Sequence, residues 1–315
     1  MSKVAFVFPG QGSQKAGMGL EIFQETDTAK QIFSDADKTL GYPLSRLCFE
    51  GPEEELRLTA NTQPAILTTS IALWKVLEEK LDQKPDFVAG HSLGEYTALV
   101  AAGSLSFVDA VLTVHKRGTY MEEAVPAGEG AMSAVMNLDR NKLVEICKEV
   151  SREEHVVEPA NFNSPNQIVI SGHHAAVKEA GEKALEAGAR RVIPLSVSGP
   201  FHSSLMKPAA DRLADHLETI SIREAKVPVV ANATAQGVTD SEAIQRLLIQ
   251  QVASPVLWED SVRYMLEEGV TTFVEIGAGN VLSGLIKKVD RKVKTISVYD
   301  PESLNQAAET LQSLK

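Results

Sequence analysis

The sequence predicts an α/β fold, with a mainly parallel sheet covered by helices on both faces and a smaller unit of different rhythm set into it. Three observations lead there. Short apolar runs of strand length alternate with helical patterns, which implies a parallel sheet packed on both sides. Between residues 129 and 198 that alternation gives way to the order βαββαβ. The chain has 315 residues, 43% of them hydrophobic and 23% charged, enough to bury a full core without covalent staples.

The elements follow in order. Residues 4–8 are apolar and are closed by Pro9-Gly10, as expected of a buried parallel strand, and the glycine-rich loop Gly10-Gln11-Gly12-Ser13-Gln14 follows. Helical periodicity covers 22–40, with Gly41 as its stop, and 64–81, with Pro64 near the first turn. Residues 86–89 read as a short strand, and 93–102 as an Ala/Leu-rich helix ended by Gly103. Ser106 with Asp109 is a capping-box-like start for a helix to about residue 124. Pro126 and Gly128-Glu129-Gly130 make a linker.

The middle segment reads as strand 131–136, helix 139–150, strands 156–162 and 167–171 around the turn Asn163-Ser164-Pro165-Asn166, helix 175–187 and strand 191–197. That order within about 70 residues is ferredoxin-like. The expected division is therefore a large discontinuous α/β domain, 1–128 and 199–315, with a small ferredoxin-like domain, 129–198. After Ser198-Gly199-Pro200 the larger pattern resumes. It gives helix 206–220, strand 227–231, helix 241–251, a longer helix 258–268 and strand 271–276. The chain then turns through Gly277-Ala278-Gly279 into helix 281–289 and a last strand, 293–298.

Composition excludes several classes. A net charge of −11 weighs against general nucleic-acid binding, while leaving room for a local basic patch. The two cysteines, Cys48 and Cys147, are too few for a disulfide framework and lack metal-ligand spacing, so a reducing cytoplasmic setting and no metal are expected. The longest uncharged run, 58–74, is short of the ~20 residues of a membrane span. The apolar N-terminal run is also shorter than a signal-peptide core.

Gly90-His91-Ser92-Leu93-Gly94 is a G-x-S-x-G motif between a strand and a helix, the context of the α/β-hydrolase-like nucleophile turn. There Ser92 is either a nucleophile or a helix-capping serine, and the Leu93 N–H, at a helix N-terminus, can donate to an oxyanion. An activated serine needs a base. Of the seven histidines, His115 lies mid-helix, His173 and His174 open a helix, and His155 and His216 sit among polar residues. His202 differs, standing in an irregular segment just after a strand, and is either the base or a turn histidine. An unperturbed imidazole titrates near 6.5, so such a base should fail on acidification. Asp109 and Asp139, between Ser92 and His202, read better as helix-start residues, which leaves a backbone carbonyl to fix the imidazole tautomer.

Arg117 lies on a helix that is apolar nearly all round, where a guanidinium needs an anion. That anion is either a structural Asp or Glu or a substrate carboxylate held by a bidentate clamp. Gln11, in the loop after the first strand, either serves the turn or donates from side chain or backbone into the crevice at the strand ends. Arg190 and Arg191, and the cluster Lys287, Lys288, Arg291, Lys292 and Lys294, are solvated faces or a landing surface for an acidic partner.

Several separated stretches together resemble a known family. Gly10-Gln11-Gly12-Ser13-Gln14, Gly90-His91-Ser92-Leu93-Gly94-Glu95-Tyr96, Arg117-Gly118, Asn161-Phe162-Asn163-Ser164-Pro165, Gly199-Pro200-Phe201-His202-Ser203 and Glu275-Ile276-Gly277-Ala278-Gly279 are similar to motifs of the malonyl-CoA:acyl carrier protein transacylases. Ala278 stands where proline is frequent in that family. The resemblance spans residues 4 to about 290. It implies ping-pong transfer of malonyl from malonyl-CoA to Ser92 and on to the phosphopantetheine thiol of acyl carrier protein, for fatty acid synthesis. It implies His202 as base, Arg117 as malonate-carboxylate clamp, Gln11 and Leu93 as the oxyanion site, and the Gln251 carbonyl, within Gln250-Gln251-Val252-Ala253-Ser254-Pro255, as the group orienting the base. Phe201 resembles the malonyl-selective pattern of related domains. No permanently bound cofactor, no metal, no membrane partner and a monomeric cytoplasmic enzyme are expected. The alternatives are a stand-alone acyltransferase serving a polyketide synthase, and a serine thioesterase or hydrolase. The hydrolase would want an acid between Ser92 and His202 and has no need of Arg117.

Overall fold

A computed structural model describes residues 3–81 and 84–313. The chain opens with β1 (Lys3–Phe8), then α1 (Leu20–Glu25), α2 (Asp27–Leu40), α3 (Leu44–Glu50), α4 (Glu53–Leu56) and α5 (Thr59–Glu78). Strand β2 (Phe87–Gly90) is followed by α6 (Gly94–Ala101) and α7 (Phe107–Glu123). The middle segment holds β3 (Gly130–Met136), α8 (Arg140–Val150), β4 (Val157–Ser164), β5 (Gln167–His173), α9 (His174–Glu186) and β6 (Arg191–Pro194). The remainder is a 3-10 turn at Ser204–Met206, α10 (Lys207–Leu217), β7 (Val229–Val230), β8 (Gly237–Val238), α11 (Ser241–Val252), α12 (Trp258–Glu267), β9 (Val270–Ile276), α13 (Val281–Val289), β10 (Lys294–Val298) and α14 (Pro301–Gln312).

Two sheets result. The larger has the order β10-β9-β1-β2-β7-β8, parallel except for β8, which pairs antiparallel with β7. The smaller is antiparallel throughout, in the order β4-β5-β3-β6. Side-chain alternation along β1 shows why the larger sheet is covered on both faces. Val4, Phe6 and Phe8 enter one apolar cluster with α2, α5 and α7, while Ala5 and Val7 enter another with α12 and α13. The smaller sheet has its own cluster, in which Leu143, Ile146, Cys147 and Val150 of α8 meet Ala176, Val177 and Ala180 of α9.

The elements differ from the sequence reading in instructive places. The helix expected over 22–40 is broken at Thr26, which is extended (φ −132°, ψ 137°) and caps α2 by accepting from the Ala29 N–H at 3.3 Å. Pro64 is not in a first turn. It lies inside α5, which starts at Thr59. The Ala60 carbonyl, deprived of its helical donor by the proline ring, accepts from His115 Nδ1 at 2.8 Å instead. Helices α3, α4 and α14 and strand β8 have no counterpart in the reading. Strand 191–197 stops at Pro194, and helix 258–268 is only ten residues long.

Because β1, β2, β7 and β9 are parallel, the loops after them gather at one edge of the larger sheet. That edge carries Gln11 after β1, Ser92 after β2 and Asn232 after β7. Residues 160–162 of β4 pair with Val256, which ties the smaller sheet to the segment after α11.

Candidate active site

Ser92 sits on a tight strand-to-helix turn with φ 52°, a left-handed value that is uncommon for a side chain larger than glycine. The turn is possible because its flanks are bare. A Cβ on Gly90 would lie 1.9 Å from the Gly94 carbonyl oxygen, and one on Gly94 would lie 2.2 Å from that of Phe8. Asn232 braces the turn, accepting from the Ser92 N–H at 2.7 Å and donating to the Gly90 carbonyl at 2.7 Å.

His202 reaches the serine from 110 residues away, also at positive φ (57°). The Ser203 hydroxyl closes its turn by donating to the Pro200 carbonyl at 2.6 Å. His202 Nδ1 lies 2.9 Å from the Gln251 carbonyl oxygen, which can only accept. The Nδ1 proton is thereby fixed, and Nε2 presents a lone pair to Ser92 Oγ at 2.7 Å. Among the described residues no carboxylate contacts the imidazole. Burial, together with the nearby Arg117 charge, pushes His202 down to about 3, against the opposing pull of the Gln251 carbonyl. This corrects the expected titration near 6.5, which holds only for a hydrated ring.

Arg117 is 1% exposed. Its Nη1 donates to Gln63 Oε1 at 2.7 Å, and its Nη2 to Gln251 Oε1 at 2.8 Å and to Ser92 Oγ at 3.0 Å. The Tyr96 ring lies 5.4 Å from the guanidinium carbon. All of these oxygens are neutral, so among the described residues no structural Asp or Glu is in hydrogen-bond contact with it. Glu95 is the nearby buried carboxyl. It accepts from Gln251 Nε2 at 2.8 Å and from the Asn232 N–H at 3.0 Å, and burial pushes it up to about 7. Gln251 therefore bridges the guanidinium and the carboxyl through opposite ends of one amide.

The backbone N–H groups of Gln11 and Leu93 have no acceptor among the described residues. Both border the serine turn, as an oxyanion site requires. The Gln11 side chain is engaged elsewhere, donating to Thr59 Oγ1 at 3.3 Å, which leaves its backbone as the free donor. Above them opens a crevice of about 490 Å³ between the two sheets, lined by Gln11, His91, Ser92, Asn161, Asn163, Phe201 and His202 among others. His91 Nε2 meets Asn163 Oδ1 at 2.7 Å and so links the serine turn to β4.

The structure thus gathers Ser92, His202, Arg117, Gln11, Leu93 and Gln251. It does not bring the basic residues to them. Arg190 and Arg191 are exposed at the end of the smaller sheet where β6 begins, beside Met136, away from the Pro200 end of β3. Lys287, Lys288 and Arg291 stand where α13 ends and β10 begins, the edge of the larger sheet opposite Ser92. Lys287 is occupied, its ammonium donating to the Val293 carbonyl. Sequence reasoning missed Gln63, Glu95, Asn232 and the side-chain role of Gln251. Glu95 alone left a signal, a carboxylate within an otherwise apolar helix start.

Comparison with known proteins agrees with this geometry. Residues 5–303 match the family described as acyl transferase domain. A malonyl CoA-acyl carrier protein transacylase of Bacillus subtilis (strain 168) is 55% identical over 312 residues, covering 99% of this chain and 98% of that protein. One of Staphylococcus aureus (strain MSSA476) is 49% identical, covering 96% and 98%. Among solved structures, the malonyl CoA-acyl carrier protein transacylase of Coxiella burnetii superposes with a TM-score of 0.96 at 43% identity, covering 98% of each chain. A malonyl-transacylase solved in complex with its type II PKS acyl-carrier protein gives 0.95 at 45% identity, covering 98% of this chain and 100% of that one.

Proposed function

The chain belongs to the acyl transferase domain family, and we propose that it moves a malonyl group from malonyl-CoA to the phosphopantetheine thiol of acyl carrier protein, through an ester on Ser92. Arg117 Nη2 lies 3.0 Å from Ser92 Oγ, its hydrogen-bond partners all neutral, and this contact above all supports a substrate that carries its own carboxylate.

The steps follow from the hydrogen bonds. His202 Nε2 takes the Ser92 proton as Oγ attacks the thioester carbonyl. The oxyanion accepts from the backbone N–H groups of Gln11 and Leu93; losing one such donor typically costs ~10²–10³ in rate. The imidazolium, steadied by the Gln251 carbonyl, protonates the departing coenzyme A thiolate. The carrier thiol then gives its proton to His202 and attacks the Ser92 ester, and the sequence runs in reverse. The malonyl carboxylate accepts from the Arg117 fork throughout.

A serine hydrolase reading is disfavoured by the carbonyl, in place of a carboxylate, behind His202. Residues 129–198 act as a small domain over the crevice, joined to it by the His91–Asn163 contact, and keep water from the acyl-serine. The enzyme supplies fatty acid synthesis in the cytoplasm and holds no permanent cofactor. The free buried thiols of Cys48 and Cys147 suit a reducing compartment. Among the described residues no helix is long and apolar enough to cross a membrane. Arg190, Arg191, Lys288 and Arg291 attract the acidic carrier.

Intact-mass measurement tests the reading. Malonyl-CoA should leave one malonyl group on the protein, and holo-carrier should remove it. Release of free malonate without transfer would mean a hydrolase, and no adduct would mean a binding module.

A further inference from the structure

Two guanidinium groups meet the crevice. Arg117 is buried and reaches it through Ser92 Oγ at 3.0 Å, and Arg57 stands exposed at its lip. The crevice wall carries Gln11, Gln14, Ser92, Asn161, Asn163 and Ser196 as neutral polar groups and, among the described residues, no Asp or Glu. Among the described residues Arg57 is the one formally charged side chain of that wall, its histidines apart.

The backbone under Arg57 is held firmly. Its N–H donates to the Glu53 carbonyl at 3.0 Å. Two residues on, buried Thr59 joins Gln11 at 3.3 Å and Ser198 at 3.1 Å, so the lip is tied to both walls of the crevice. Three glutamates, Glu53, Glu54 and Glu55, precede Arg57 on α4, yet its guanidinium has no hydrogen-bond or ion-pair partner among the described residues. Glu53 is turned away, accepting from the Ala16 N–H at 2.8 Å.

We infer that Arg57 binds the phosphate ester at the far end of the pantetheine chain, the anionic group that coenzyme A and the carrier's phosphopantetheine have in common. This rests on the malonyl-transfer reading and adds a second recognition point to it. A malonyl-phosphopantetheine thioester is anionic at both ends, carboxylate and phosphate, with neutral amides between. The crevice offers complementary groups, the Arg117 guanidinium at Ser92, neutral side-chain amides, and the Arg57 guanidinium. A planar guanidinium suits phosphate oxygens. One phosphate contact serves both half-reactions, because donor and acceptor enter the same crevice in turn.

The test compares malonyl-4′-phosphopantetheine with malonyl-pantetheine as donors, which differ by that phosphate alone, at low ionic strength, where an exposed contact is least screened. With Arg57→Ala, kcat/KM for the phosphorylated donor should fall about five-fold, the size expected of one exposed charge pair. The value for malonyl-pantetheine should not change, and Arg57→Lys should recover part of the loss. Malonyl-CoA and transfer to holo-carrier should fall by a similar factor. Equal effects on both pantetheine donors, or none, would overturn the inference while the Ser92 adduct still forms. A loss confined to malonyl-CoA would assign Arg57 to a nucleotide phosphate and overturn the shared subsite. Failure of every donor to acylate the wild-type protein would overturn the malonyl-transfer reading itself, and this inference with it.

Discussion

Gln251 and Arg117 are joined side chain to side chain, Oε1 to Nη2 at 2.8 Å, across 134 residues of sequence. The same Gln251 turns its backbone carbonyl to His202 at 2.9 Å. One residue thus holds both the Arg117 guanidinium and the His202 imidazole, so a shift of one is felt by the other.

Gln251→Ala separates these duties. It keeps the carbonyl that orients His202 and removes the amide from Arg117, Glu95 and the Ser92 carbonyl. A hydrogen bond to a charged group is worth ~1.5–3 kcal/mol, which at ~1.4 kcal/mol per decade is about 10- to 100-fold. Malonyl transfer should fall by that factor, largely in KM, and acetyl transfer much less. Equal losses for both acyl groups would show that the side chain serves the base.

Arg117→Ala should lose malonyl transfer steeply. Removing one partner of a desolvated charge pair typically costs ~2–5 kcal/mol, roughly 30- to several-thousand-fold. Acetyl transfer should change much less, because acetyl brings no carboxylate for the guanidinium to hold. Arg117→Lys should not restore malonyl transfer, since an ammonium lacks the fork. Parallel kinetics with malonyl-CoA and acetyl-CoA decide the matter; a common fall would make Arg117 structural.

Ser92→Ala should fold with unchanged thermal stability and acquire no malonyl mass. Alanine keeps the turn's backbone N–H, on which Asn232 depends. Persistence of the adduct in this variant would move the nucleophile elsewhere.

Acid should spare the base and weaken the fold. With His202 pushed down to about 3, Ser92 acylation should show no inflexion near 6.5. The unfolded chain protonates this histidine near 6.5 while the folded one resists. The stability it contributes is therefore lost as pH falls from about 6.5 toward 3. His91, lowered by burial, adds the same sign. Glu95, raised to about 7, acts oppositely, and its contribution is lost as pH rises from about 4.5 through 7. Denaturant titrations of wild type and His202→Gln at several pH values should show the steeper acid loss in the wild type. An acylation inflexion near 6.5 that persists in Glu95→Gln would mean a hydrated imidazole.

Charge reversal at Arg190, Arg191, Lys288 and Arg291 should raise KM for the carrier and leave acylation by malonyl-CoA intact. Reversal at Lys287 should also lower thermal stability, because its ammonium holds the Val293 carbonyl. Equal loss in both half-reactions would assign these residues to folding or chemistry.

Local order was legible in the sequence where short-range sterics govern it. The G-x-S-x-G turn, the Ser106 cap and the βαββαβ order are each set by glycines, caps and side-chain period within a few residues. Helices α3 and α4 escaped because they are too short for a period to register, and the break at Thr26 because a cap inside a periodic stretch barely disturbs it. The family motifs named Ser92, His202, Arg117 and the Gln251 carbonyl, yet the sequence left open what Arg117 touches and how His202 titrates. Those answers came only when parallel strands brought their ends to one edge and excluded water there. Gln63, Glu95, Asn232 and the Gln251 side chain then became partners across 54, 137, 140 and 134 residues. A buried polar group must find its partner wherever packing puts one, and no local pattern encodes that address.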